Sequence, residues 1–188
     1  MDSSDVTQII ILIILLALSA FFSSAETALT TVNKIRIRSL ADEGRKRANT
    51  VLKITEDSGK MLSAILIGNN IVNLSAASLT TTLAYSFGGP WVAAASGILT
   101  VAILLFGEIT PKTMATIHAE KLSLLYAPVI NIFMTIMTPV IFIINGLSYG
   151  VLYLFHVDPK AGSRTMTENE LRTIVDVSHE DGVIESEE

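Results

Sequence analysis

Residues Val6–Thr31 form a largely apolar run that contains nine aliphatic residues in succession, Ile9–Ala17. A helix needs about 20 apolar residues to cross the hydrocarbon core of a bilayer. This run is long enough, although its second half, LSAFFSSAETAL (Leu18–Leu29), carries three serines, a threonine and a glutamate. Half of the 188 residues are hydrophobic and only 16% are charged, against about 25% in soluble domains. This is the composition of a membrane protein. Charge is segregated into Asn33–Lys60 and the region after Val157, so the net charge of −5 averages a basic segment with an acidic tail. Nothing in it suggests a nucleic-acid partner. The absence of cysteine excludes disulfides and thiolate metal sites and leaves the redox compartment open. The leading MDSSDVTQ has no basic region and precedes no evident small-residue cleavage site. The first run therefore reads as a retained anchor, not a signal peptide.

The order of segments predicts an all-α membrane protein with three transmembrane helices, at about 6–31, 61–87 and 91–110. Between the first two lies a stretch with Lys34, Arg36, Arg38, Arg45, Lys46, Arg47, Lys53 and Lys60. The positive-inside rule makes it cytoplasmic and places the N-terminus outside. Its apolar residues Ile35, Ile37, Leu40, Val51, Leu52 and Ile54 suggest short amphipathic helices at the membrane surface. SFGGPW, ending at the interfacial Trp91, reads as a tight external turn. The block 122–157 is interrupted by Pro128, Pro139 and Asn145–Gly146. It is expected to form a kinked belt or hairpin that does not cross, in preference to a fourth span. Beyond it, residues 158–188 read as an acidic cytoplasmic linker, with capping-box spacing at Thr167–Glu170. The membrane domain is accordingly placed at 1–157 and the C-terminus in the cytoplasm.

Each span carries unexpected polarity. Ser19, Ser23, Glu26 and Thr30 share one helical stripe. Serine also serves close helix packing in membranes, and Glu26 could lie at the wet interface. An ionisable residue in a span, however, usually faces the interior or a water-filled path. The second span carries IGNNIVN, with Gly68, Asn69, Asn70 and Asn73. One asparagine would read as an interhelical hydrogen bond, whereas three beside a glycine suggest a site. The third ends in FGEITPK. Pro111 cannot donate to the carbonyl of Gly107 four residues back, so a helix break is expected there, beside the carboxylate of Glu108. A proline kink with a salt-bridged glutamate is the plainer alternative.

The up-down-up order brings hydroxyls, amides, a carboxylate and a bared carbonyl together. These hard oxygen ligands suit Mg²⁺, Ca²⁺, Mn²⁺ or Na⁺ rather than Zn²⁺ or Cu²⁺. His118, His156 and His179 lie outside the cluster.

The combination of LSAFFSSAETAL, IGNNIVN and GEITPK, in this order, resembles the transmembrane domain of the CorC/CNNM family of magnesium transporters, in its bacterial or archaeal form. The resemblance covers essentially the whole chain. It implies three transmembrane helices per subunit, a cytosolic pair of helical turns, a belt-like juxtamembrane helix and a homodimer. It also implies a Mg²⁺ site in an inward-open cavity, export of Mg²⁺ and coupling to Na⁺. Carried over by position, it makes Ser19, Ser23, Asn70, Glu108 and the carbonyl of Gly107 the metal ligands, with Ser23, Asn70 and Glu108 as the leading side chains. Glu26, Gly68, Asn69 and Asn73 would line the path or a second cation site, and Pro111 would break the helix. Members of the family normally continue into a pair of ATP-binding CBS domains. The chain stops in the acidic linker, so it is expected to be truncated, with CBS domains absent and no ATP bound.

The leading expectation is thus Mg²⁺ transport. A membrane anchor that senses Mg²⁺ and alters a cytoplasmic domain or partner without net flux is the alternative. An enzyme is not expected: neither H-E-x-x-H nor G-x-S-x-G occurs, there is no cysteine nucleophile, and no histidine sits at depth.

Overall fold

The computed structural model describes residues 3–86 and 91–154, and these are helical almost throughout. Seven α-helices follow in order: α1 (Ser3–Thr31), α2 (Lys34–Asp42), α3 (Lys46–Glu56), α4 (Ser58–Ser86), α5 (Trp91–Ala102), α6 (Thr110–Ile117) and α7 (Ala119–Leu154). A π-helical segment, Ile103–Ile109, joins α5 to α6.

Four stretches are long and apolar enough to cross a membrane: Asp5–Thr31, Ser58–Tyr85, Val92–Ile117 and Ala119–Leu154. The sequence predicts only the first three as spans. The fourth, expected as a kinked belt or hairpin from 122, starts at Ala119 and forms one continuous helix of 36 residues. No hairpin turn occurs at Pro128, Pro139 or Asn145–Gly146. A proline costs its helix one donor, and apolar helices tolerate that loss where neighbours or ordered groups re-satisfy the backbone. The third span also runs further than expected, through Pro111 to Ile117. The residues of the external turn, 87–90, and the 158–188 linker with its capping box lie outside the described residues.

Residues up to Phe142 make one compact unit, and Ile143–Leu154 belong to a second. In the first unit α1 is central. Ala25 and Ala28 are fully buried and Leu29 nearly so. Small side chains let neighbouring backbones approach, as membrane packing requires. The start of α7 lays a stripe on this core, with Ser123, Ala127, Ile130, Met134 and Ile141 all buried. Aromatic edges complete it: Phe21 meets Tyr126 at 5.1 Å between centroids and Phe22 meets Phe133 at 5.2 Å. The opposite faces expose large aliphatic side chains, among them Ile10, Ile13, Ile98 and Val101. Apolar exposure on this scale marks a surface whose solvent is lipid.

The basic segment forms the two short helices expected of it. Asn33 caps α2, its Oδ1 accepting from the amides of Ile35 at 2.9 Å and Arg36 at 3.1 Å. The helix ends in a Schellman motif. Gly44 takes φ +85°, its amide donates to Ala41 O, and that of Arg45 donates to Leu40 O. Ile37, Leu40, Val51 and Ile54 are buried between the two helices and their neighbours, while Ile35 is left 83% exposed.

Candidate cation site

The hydroxyl stripe of α1 points inward. Ser19 and Ser23 are buried, as is Ser24. The threonines that follow are satisfied within their own helix: Thr27 Oγ1 donates to Ser23 O at 3.2 Å and Thr30 Oγ1 to Glu26 O at 2.8 Å. Thr30, the last member of the expected stripe, is exposed. Ser24 turns to α7 and donates to Tyr126 Oη at 3.3 Å. Ser19 and Ser23 are therefore the buried hydroxyls of α1 not taken up by their own helix or by α7.

Three helices meet at Ser19. Its Oγ donates to Asn69 Oδ1 on α4 at 3.4 Å. On its other side lies Gly107, where a Cβ would stand 2.9 Å from Ser19 Oγ. Only a glycine lets the π segment come this close. One turn along, Ser23 Oγ is buried with no hydrogen-bond partner among the described residues. Leaving a buried hydroxyl unpaired costs about 1–3 kcal/mol, so this oxygen fits a ligand position. Asn73 Oδ1 and Thr80 Oγ1, further along α4, are buried and unpartnered in the same way.

The amide that reaches Ser19 is Asn69. Asn70, expected as a ligand, is exposed, because successive residues on a helix are turned by about 100°. Gly68, expected to line the path, packs closely against α1 and α7. A Cβ there would lie 2.6 and 2.7 Å from ring atoms of Phe22 and 3.0 Å from Phe133. Its bareness seats the two rings and sets the approach of α1 to α4.

Pro111 does not break the helix. Thr110 keeps helical geometry (φ −63°, ψ −47°), and its amide donates to Leu105 O. The interruption lies before the proline, as π turns that shift the hydrogen-bond register by one residue. Proline's missing donor thus falls opposite Phe106 in the π register and opposite Gly107 in the α register. A carbonyl in this pair loses its usual partner either way. π segments inside α-helices frequently mark functional sites.

The carboxylates gather beside this cluster, around a residue the sequence reading passed over. Lys112 Nζ lies 3.4 Å from Glu108 Oε1 and 3.4 Å from Glu26 Oε2. The i,i+4 spacing of Glu108 and Lys112 is a readable signal; the meeting with Glu26 of α1 is not. The side chains of Lys112, Glu26 and Glu108 are 36%, 25% and 40% exposed, so water reaches the group. Among the described residues no set of three or more His, Asp or Glu side chains could hold a metal ion. A cation here would be held mainly by hydroxyl, amide and main-chain oxygens. A separate cleft of about 360 Å³ lies on the basic hairpin, lined by Lys34, Ile35, Arg38, Leu52, Thr55 and Glu56. It shares no residue with the polar cluster.

Residues 10–188 match the family model of the cyclin M (CNNM) transmembrane N-terminal domain. A UPF0053 protein of Haemophilus influenzae is 38% identical over 177 residues, covering 93% of this chain and 42% of that protein. The UPF0053 inner membrane protein YfjD of Escherichia coli is 34% identical over 164 residues, covering 84% of this chain and 37% of that protein. A polyamine export protein of Haemophilus influenzae is 27% identical over 194 residues, covering 96% of this chain and 45% of that protein. The chain thus spans less than half the length of these relatives. With almost its whole length matched, it belongs to the CNNM transmembrane domain family, as the motifs of its first three spans suggested.

Proposed function

We propose that the chain is the membrane domain of an exporter of Mg²⁺, located in the bacterial inner membrane as the name of its YfjD relative suggests, with export coupled to Na⁺. The observation that supports this reading most directly is the meeting of Ser19, Asn69 and Gly107 from three helices, with the orphaned hydroxyl of Ser23 beside them. Octahedral ligands at about 2.0–2.1 Å from Mg²⁺ stand about 2.9 Å from one another. The 3.4 Å between Ser19 Oγ and Asn69 Oδ1 is about half an ångström longer, so the two oxygens would draw together on an ion. Glu108 supplies the charge, and a main-chain carbonyl beside Pro111 supplies a further oxygen. Mg²⁺ keeps some of its waters readily, which suits a half-exposed carboxylate. In this reading Asn70 sits on the exposed side of α4 between Leu66 and Leu74, where a second copy of the chain would cover it in a homodimer.

The decisive experiment is calorimetric titration of Mg²⁺ into the purified chain, with Glu108→Gln beside it. Saturable binding that drops by at least tenfold in the variant is expected. Unchanged affinity in Glu108→Gln would remove this carboxylate from the site. Flux into liposomes then separates transport from the sensing alternative, in which Mg²⁺ binds and none crosses.

A second reading has its own observation. The ammonium of Lys112 sits between two carboxylates, as an alkylammonium group would, and one relative is named a polyamine export protein. Spermidine that displaces Mg²⁺ in the titration and crosses in the flux assay would favour a polyamine cargo.

A further inference from the structure

Lys112 belongs to α6, Glu108 to the π segment and Glu26 to α1. One ammonium therefore serves two carboxylates from two other elements. Both contacts are 3.4 Å, longer than the roughly 2.7–2.9 Å of a committed charge-assisted bond. The ammonium is shared, and a small movement shortens one contact as it lengthens the other. Lysine suits such movement, being a compact charge on a flexible stem with three rotatable donors. All three side chains are partly exposed, so exchange incurs little desolvation.

Charge makes the arrangement consequential. Two carboxylates and one ammonium leave a net −1. A divalent cation drawn to Glu108 would meet the ammonium already on that carboxylate. The ammonium on Glu108 repels an incoming cation, and Glu26 is the acceptor within reach that can draw it away.

We propose that Lys112 is a resident counter-ion, shared between Glu108 and Glu26 without a divalent cation and held by Glu26 alone when the cation binds. Lys112 is in this sense a positioning residue that sets affinity, and Glu26 acts through it without ligating the cargo. The device keeps Glu108 partly neutralised without the cation. It also supplies a competing charge that helps the cation leave again. It rests on the reading in which Glu108 takes the cation.

A double-mutant cycle read by Mg²⁺ calorimetry tests it. Lys112→Met should tighten binding by up to about fivefold, the scale set by partly exposed ion pairs. Glu26→Gln should weaken binding by a similar factor, because the ammonium then has only Glu108. In the Lys112→Met background the Glu26→Gln effect should shrink to less than half its size. A plain structural strut between α6 and α1 predicts the reverse for Lys112→Met, namely weaker binding with lower thermal stability, and that result would overturn the proposal. An additive cycle would overturn it too, since independent charges near a cation add. If the unaltered chain binds no Mg²⁺, the proposed function falls and this inference with it. If it binds, and loses binding in Glu108→Gln, an additive cycle removes the Lys112 role alone.

Discussion

At the scale of single residues, the site depends on azimuth, which a sequence gives only modulo its helical period. IGNNIVN announces a polar face on α4, but its amides at 69, 70 and 73 span an arc of about 100°, and pattern alone could not say which one faces α1. The structure seats Asn69 on Ser19 and leaves Asn70 exposed. Asn69→Ala should therefore lower Mg²⁺ affinity about tenfold or more, as loss of a ligand oxygen would, and Asn70→Ala by less than about threefold. These ratios follow from about 1–2 kcal/mol for a contact that reaches the ion, against a few tenths for one that does not. Calorimetry on the two variants decides between them, and the opposite ranking would restore Asn70 to the ligand set. Lys112 illustrates the limit differently. Its pairing with Glu108 is written in their spacing, whereas its pairing with Glu26 requires knowing that α1 and α6 are neighbours.

At the scale of elements, two glycines set how closely the helices approach, and they fail differently when filled. Gly68→Ala would place a methyl 2.6–2.7 Å from the ring of Phe22. The ring must move, and overpacking of this kind costs about 1–3 kcal/mol. Its expected signature is a lower thermal midpoint in detergent, and an unchanged midpoint would mean that Phe22 and Phe133 have room to turn. Gly107→Ala strikes the hydroxyl of Ser19 at 2.9 Å and should separate α1 from the π segment at the site itself. Loss of Mg²⁺ binding with helicity retained by circular dichroism is the expected result; full binding would show that the close approach is not needed. The proline signal was legible as an irregularity near Gly107, and what it produced was not. A chain can answer a missing donor by breaking or by shifting register, and tertiary packing chooses. Here Thr110 stays helical and the π turns absorb the mismatch.

At the scale of the whole molecule, the hydrophobic runs and the basic α2–α3 hairpin were legible because lipid and amphipathic patterning act on composition directly. The fate of the last run was not, since its length fits several topologies. A 36-residue helix is about 54 Å long at 1.5 Å per residue, well beyond the roughly 30 Å hydrocarbon core. A helix that crossed would have to tilt or protrude by several turns, and one lying along the interface would have to do so without a charged residue between Leu122 and Leu154. The expectation that α7 does not cross would place Leu154 on the side of the basic hairpin, and a fourth span would place it opposite; labelling separates the two. The absence of cysteine gives single-cysteine labelling a clean background. Arg45→Cys sits in the exposed α2–α3 turn, and Leu154→Cys replaces a side chain that is 74% exposed. A membrane-impermeant maleimide should leave both unmodified in intact cells and modify both once the cytoplasmic face is opened. Modification of Leu154→Cys alone in intact cells would make α7 a fourth span and carry everything beyond it to the outside. Modification of both would invert the orientation assigned from the basic hairpin, and the polar cluster would then open to the opposite side.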